Sequence, residues 1–148
     1  STAFMIDQDS GAFVFAGGVV ISAQEGKKLY SKGKEWVRGK DDIRNGYAWI
    51  NLQALTFGGH PAYLRFCFGK DSKLVKVSWS LNLRDDKSDR SWPARNEIEH
   101  ELCLVRDILS CQIGFNPESS SQRYVWGEVW CVFDPKGFLA NNSVSYTY

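Results

Sequence analysis

The ten residues LVKVSWSLNL, at positions 74–83, alternate between apolar and polar side chains more regularly than any other stretch of the chain. A period of two is typical of a strand that has one face against a core and the other in water, which an antiparallel sheet allows. The apolar set is Val75, Val77, Trp79, Leu81 and Leu83, and the polar set is Lys76, Ser78, Ser80 and Asn82.

Further strands are predicted on both sides of this stretch. Apolar and aromatic runs bounded by turn residues predict them at residues 12–16, 19–21, 34–38, 47–54, 63–68, 123–133 and 143–148. Asn45-Gly46 and Gly58-Gly59 are typical of hairpin turns, and the turns are short enough to favour antiparallel pairing.

One long helix is predicted over residues 93–113. Its apolar side chains recur every three or four positions and so form a single stripe, with Ser91 as the expected N-cap and Gly114 as the residue that ends it. The stripe consists of Ala94, Ile98, Leu102, Val105, Leu109 and Ile113. A shorter helix is predicted over residues 24–30, because Ser22 and Glu25 have the spacing of a capping box.

These elements together predict an α+β fold. We expect an antiparallel sheet of about five to seven strands, with the long helix packed on one face and the short helix near the N-terminus. The chain has 148 residues, and residues 1–148 are expected to form a single domain.

Composition and charge argue against several classes of protein. The net charge is +1, and the basic residues between 27 and 40 are followed by Asp41 and Asp42, so no basic stripe for nucleic acid is predicted. There is no apolar run long enough to span a membrane and no signal-peptide pattern. We therefore expect a cytoplasmic protein, with the periplasm left open because a processed chain would look the same.

The four cysteines do not predict a metal site. Cys67, Cys103, Cys111 and Cys131 contain no C-x-x-C pair, so zinc is not expected. Cys103 and Cys111 are too far apart on one helix to form a disulfide. Cys67 and Cys131 lie in strand patterns and could be neighbours, but free thiols are the expected state.

No set of residues predicts catalysis or a cofactor. The two histidines, His60 and His100, lie at a turn and on the polar side of the helix, and there is no G-x-S-x-G sequence. The carboxylate pairs Asp41-Asp42 and Asp85-Asp86 lack a partner element. We therefore expect a protein that is not an enzyme and holds no metal or cofactor.

Two groups of residues are predicted to bind a partner. The first is acidic, with Asp85, Asp86 and Asp89 in a charged loop and Glu97 at the start of the long helix, where it would steer a basic partner. The second is aromatic. Trp126 and Trp130 have the same parity in the strand predicted at 123–133 and would share a face, which is either exposed or covered by a helix.

Several segments give the chain a resemblance to a type of small bacterial protein. They are Phe57-Gly58-Gly59, residues 63–68 and 74–83, Ser91-Trp92, the helix with Glu97 and Glu101, Trp126-Gly127-Glu128-Val129, and Phe133-Asp134-Pro135-Lys136-Gly137. Many proteins with these features resemble immunity proteins, which are encoded beside secreted or contact-delivered toxins. The resemblance implies a protein that binds a cognate toxin and neutralises it.

The alternative that the sequence leaves open belongs to a different class. It is a small-molecule-binding domain or an enzyme, with a cleft between the sheet and the long helix. Such a site would need a concave pocket in which several polar groups converge.

Overall fold

The main body of the molecule is a mixed β-sheet. A computed structural model describes residues 1–42, 46–71, 73–84 and 91–148, with the backbone alone at residues 41 and 42. The sheet has ten strands in the described residues. They are β1 (Thr2–Ile6), β2 (Phe13–Phe15), β3 (Val19–Ile21), β4 (Val37–Asp42), β5 (Ala48–Phe57), β6 (His60–Phe68), β7 (Leu74–Leu81), β8 (Ser121–Tyr124), β9 (Gly127–Asp134) and β10 (Leu139–Tyr146).

The long strands form an antiparallel sheet in the order β4-β5-β6-β7-β10-β9-β8. The predicted Gly58-Gly59 turn joins β5 to β6, and both glycines have positive φ angles, 57° and 86°. A Cβ atom on Gly58 would lie 2.4 Å from Ile108 Cδ1. Only glycine therefore lets this hairpin end pack closely against the long helix.

The N-terminal strands β1, β2 and β3 form a meander that joins the same sheet through a parallel pair. Thr2 and Ala3 pair with Leu55 and Thr56 of β5, next to the irregularity at residues 53–54, where β5 ceases to pair with β4. The meander then covers part of the core face. The ring of Phe13 lies 5.6 Å from that of Phe66 and 6.0 Å from that of Trp79.

The rest of the core face is covered by helix α2 (Arg95–Ile113), which packs on β9 and β10. The predicted stripe is confirmed from Ile98 to Ile113, since its five apolar members are buried. Gly114 ends the helix in the left-handed conformation, with φ 67°. The helix begins later than expected, because Ala94 is the N-cap and is exposed, so it does not belong to the buried stripe.

The predicted α+β fold with five to seven antiparallel strands is wrong, because the described residues already form ten strands in one mixed sheet. The sequence pattern does not predict β1, and it merges β8 and β9 into one strand at residues 123–133. The parallel β1–β5 pair joins residues more than fifty positions apart, and no local pattern predicts such a pair.

Three further predictions about elements are wrong. The strand expected at residues 34–38 is a 3-10 turn, Lys34–Trp36, that leads into β4. The single helix expected at residues 24–30 is replaced by a 3-10 turn, Ala23–Glu25, and a five-residue helix, α1 (Lys28–Lys32). Ser22 makes no cap hydrogen bond to the backbone and instead donates from Oγ to Glu25 Oε1 at 3.3 Å. The strand expected at residues 123–133 is a hairpin of β8 and β9 that turns between Tyr124 and Gly127.

Candidate functional site: a groove on the open face of the sheet

The face of the sheet that points away from α2 is named the open face here. It carries the second set of alternating side chains of β5, β6, β7 and β10, while the first set is buried against α2 and the meander. The predicted polar set on β7 lies on this face. Lys76, Ser78 and Ser80 are partly exposed, whereas Val77, Trp79 and Leu81 are buried. Val75 of the predicted apolar set is only partly buried, and Leu74 is buried instead.

Strand register brings polar residues from distant parts of the chain into one row. Asn51 pairs with Arg65, Arg65 with Ser78, Ser78 with Ser143, and Ser143 with Trp130. Partners in register point to the same side of a sheet. The row therefore has small serine side chains at its centre and large side chains on both sides.

A groove of ≈ 720 Å³ lies on the open face over Asn51, Arg65 and Ser78 of this row, whereas Ser143 is 1% exposed and does not line it. Ser78 and Ser80 line its floor. One wall is lined by Arg38, Trp49, Tyr63 and Arg65, and the other side by Asp134, Leu139 and Asn141. The groove thus combines aromatic rings, charged groups and hydrogen-bonding side chains on neighbouring strands of one sheet.

The first wall is held in shape by a cation–π contact. The Arg65 guanidinium carbon lies 4.3 Å from the centroid of the Trp49 ring. Such a contact holds the planar guanidinium in one orientation and keeps the indole against the sheet. Tyr63 is 46% exposed, so its ring is available for contact with another molecule.

A second candidate lies on the other side of the sheet, where Glu101 of α2 approaches β7 and β10. Its Oε2 accepts a hydrogen bond from Asn142 Nδ2 at 2.8 Å, and Asn142 Nδ2 also lies 3.2 Å from Trp79 O. Burial raises the pKa of Glu101 to about 7, although hydrogen bonds from the Leu81 N–H and from Asn142 lower it.

The cluster around Glu101 continues to Cys131 on β9. The Cys131 thiol lies 3.4 Å from Asn142 Oδ1, and Arg106 donates two hydrogen bonds to the Cys131 carbonyl, at 3.1 and 2.7 Å. Burial raises the pKa of this thiol to about 12, so it stays protonated and is a poor nucleophile. The cluster joins the helix to the sheet rather than activating a group.

The predicted acidic surface is described only in part. Asp85, Asp86 and Asp89 lie outside the described residues. Glu97 is exposed at the start of α2, where it forms an ion pair with Arg84 at 3.2 Å and accepts a hydrogen bond from the Ala94 N–H at 3.1 Å. Glu97 therefore helps to cap the helix.

The two tryptophans predicted to share a face do not do so. Trp126 lies in the β8–β9 turn, where it stacks on Tyr124 at 4.7 Å and donates from Nε1 to the Gln8 carbonyl at 2.8 Å. Trp130 is on β9 and pairs with Ser143, which places it on the open face. The tight turn breaks the alternation on which the prediction depended.

The other reactive residues are spread over the structure. His60 begins β6 and His100 is exposed on α2. No group of three or more metal-ligating side chains occurs in the part of the chain that the structure describes. All four cysteines are free. Cys67 pairs in register with Trp49 and so lies on the open face, whereas Cys131 lies on the core face, which rules out the bridge left open above.

Comparisons with protein-family models, with curated proteins and with solved structures find no match for this chain. Within the described ranges, no helix is long and apolar enough to cross a membrane.

One strand of the groove is predictable from the sequence, and the others are not. The polar set of β7 was visible in the alternation of LVKVSWSLNL. The contributions of Trp49, Arg65 and Asn141 were not, because they depend on which strands become neighbours and in which register. A usable signal was the alternation of Trp49 and Asn51 with the buried Ile50 and Leu52.

Proposed function

We propose that this protein is a non-catalytic inhibitor that binds a partner protein through the groove on the open face, and that the partner is a bacterial toxin. The observation that supports binding is the groove itself, with the Arg65–Trp49 stack and the exposed Tyr63 on a sheet backed by a continuous core. Tryptophan, tyrosine and arginine are the residues that contribute most to protein interfaces.

The position of the buried titratable groups also favours binding over catalysis. Glu101 and Cys131, whose pKa values are raised to about 7 and about 12, lie on the core face. The groove on the opposite face has side chains suited to recognition. A rigid sheet presents them in a fixed arrangement, which lowers the entropy lost on binding.

The choice of a toxin as the partner follows from the resemblance to immunity proteins. We also propose that the protein acts in the cytoplasm. Cys67 and Cys131 are buried, unpaired thiols on opposite faces of the sheet. Free thiols are usual in the reducing cytoplasm, where an immunity protein against a delivered nuclease or other enzyme would act.

The test is co-expression of the neighbouring gene product with this protein in sensitive cells. We expect protection by the natural chain and loss of protection with Tyr63→Ala, whose affinity should fall about thirtyfold if the ring is an interface anchor. Tyr30→Ala is the matched control, because Tyr30 is also 46% exposed but lies on α1, away from the groove.

Two results would contradict the proposal. One is that no adjacent gene product is toxic, or that toxicity persists while this protein is abundant and folded. The other is that Tyr63→Ala and Tyr30→Ala protect equally well, which would place the interface elsewhere on the molecule.

A second candidate function is the binding of a small molecule in the same groove. Its volume of ≈ 720 Å³ falls within the usual range for ligand sites, about 300–1,000 Å³. The space between sheet and helix, which the alternative assigned to such a site, holds the buried side chains of Ile98, Leu102 and Val105, so we propose the groove as the location instead. A ligand that raises the Tm and whose effect Tyr63→Ala abolishes, without any protein partner, would favour this candidate.

A further inference from the structure

A row of uncharged hydrogen-bonding side chains crosses the groove on three strands. Tyr63 of β6 is in register with Ser80 of β7, and both line the groove. Asn141 of β10 also lines it, because its neighbour Asn142 points to the core face and successive side chains alternate between the faces. Among the described residues, the side chains of Tyr63, Ser80 and Asn141 have no hydrogen-bond partner. All three can therefore bond to a ligand.

The charged residues around the groove have both signs. Arg38 and Lys76 line it together with Asp134, and the β4 register places Asp41 in the same row as Lys76. Such a lining does not select a ligand by net charge. Recognition is left to the neutral row and to the apolar side chains beside it.

From these groups we infer that the groove binds an uncharged ring ligand rich in hydroxyls, namely a short oligosaccharide. The row of Tyr63, Ser80 and Asn141 bonds to the hydroxyls, and the Tyr63 ring packs on the C–H face of a sugar ring. The inference rests on the second candidate function above, because it takes the ligand of the groove to be a small molecule.

The hydrogen-bonding chemistry of the row matches that of sugar hydroxyls. A phenol, a serine hydroxyl and a carboxamide each donate and accept, as every sugar hydroxyl does. The three residues lie on consecutive strands, β6, β7 and β10, and adjacent strands are about 4.8 Å apart. A peptide strand fits less well, because the groove lies on the face of the sheet, where β6 and β7 are already paired with their neighbours.

Exposed apolar surface flanks the row on both sides. Tyr63 and Leu139 are each 46% exposed and line the groove. The C–H groups on one face of a sugar ring carry a small positive charge, which the negative face of an aromatic ring attracts. Ser80, on the strand between these two residues, has a small side chain, which leaves depth for a ring.

The experiment titrates the full chain, ¹⁵N-labelled, with neutral trisaccharides of glucose, N-acetylglucosamine, galactose and mannose. We expect at least one of them to shift the amide resonances of Tyr63, Ser80 and Asn141, with an affinity that added salt leaves unchanged because the ligand carries no charge. Tyr63→Ala should lower this affinity about tenfold and Tyr63→Phe by less, since it keeps the ring. Asn141→Ala should lower it about fivefold. Tyr30→Ala, the matched control on α1, should bind like the natural chain.

Gly39→Leu blocks the groove without removing a contact. Gly39 lines the groove in register with Asn51, and a Cβ atom there would have nothing within 4 Å. This variant should keep the Tm of the natural chain and lose trisaccharide binding.

Several results would overturn the inference. They are no shift with any trisaccharide at its highest soluble concentration, shifts outside the groove, binding that fades with added salt, and equal affinities of Tyr63→Ala and Tyr30→Ala. A neutral peptide of alternating Ser and Gly that binds more tightly than every trisaccharide would also overturn it. Protection from a toxin without saccharide binding counts against this inference alone, whereas saccharide binding without protection supports it and counts against the inhibitor.

Discussion

Glu101 takes over part of the sheet's hydrogen bonding where a strand pairing ends. β10 pairs with β7 as far as Asn142 opposite Trp79, while β7 continues to Leu81. At this last pair Asn142 Nδ2 donates to the Trp79 carbonyl, and beyond it Glu101 accepts from the Leu81 N–H. The carboxylate must be buried to do this, and burial raises its pKa to about 7.

This residue predicts a pH-dependent stability. The folded-state pKa of about 7 exceeds the ordinary value of 4.5, so the folded protein binds the proton more tightly than the unfolded chain does. The contribution is fully present below pH 4.5, is lost as the pH rises to about 7, and changes no further above that.

Glu101→Gln should remove this dependence. We expect it to raise the free energy of unfolding by about 1–2 kcal/mol at pH 8 and to leave it nearly unchanged at pH 4.5. The expected gain is smaller than the pKa shift alone implies, because solvent partly screens the carboxylate. Urea unfolding at the two pH values measures the difference. Glu99→Gln, at an exposed site on the same helix, is the control, and an equal effect of both changes would show that Glu101 is not the group responsible.

Helix α2 is the element whose register the sequence predicts most directly. Its stripe at Ile98, Leu102, Val105, Leu109 and Ile113 follows the helical repeat, and all five side chains are buried. The tight turn at Gly58 packs against Ile108 of the same helix. The helix therefore closes the core over β9 and β10 while the meander closes it over the other strands.

Leu102→Ala tests the helix packing. Leu102 is 1% exposed, and removal of its side chain should cost about 2–5 kcal/mol in the free energy of unfolding. Leu104→Ala, at a partly buried position of the same helix, should cost less. Denaturant titration of both variants measures this, and a loss below about 1 kcal/mol for Leu102→Ala would mean that the side chain is not part of the core.

At the scale of the whole molecule, hydrogen bonds join the loop between β1 and β2 to the C-terminal hairpins. The Trp126 Nε1–H donates to the Gln8 carbonyl and the Tyr146 hydroxyl donates to the Gly11 carbonyl at 2.6 Å. Gly11 has φ 71°, and a Cβ atom there would lie 2.3 Å from Trp126 Cε3. This contact joins the two ends of the chain on the core side of the sheet.

Gly11→Ala should therefore destabilise the protein more than a comparable change elsewhere. Gly17 has φ 98° and nothing within 4 Å of its added Cβ, so Gly17→Ala measures the backbone strain alone, about 1 kcal/mol. Gly11→Ala adds the collision with the indole and should cost about 2–4 kcal/mol in total. Thermal unfolding followed by tryptophan fluorescence compares them, and equal Tm values would show that the contact does not stabilise the fold.

The sequence by itself determined the features that depend on near neighbours along the chain. The α2 stripe, the Gly114 helix end, the Gly58-Gly59 hairpin and the two faces of β7 all follow from residues within a few positions of one another. Local hydrogen bonding and side-chain period govern these features, so they are readable without knowledge of the rest of the fold.

Only the tertiary structure decided the number of strands, their partners and the position of the groove. Strand β1 and its parallel pairing with β5 are set by contacts between distant segments. The same is true of Trp126, which a two-residue turn moves off the face of Trp130. A sheet's register is chosen by the burial of one whole face. Ser78, Ser143 and Arg65 therefore become neighbours only once every strand has found its place.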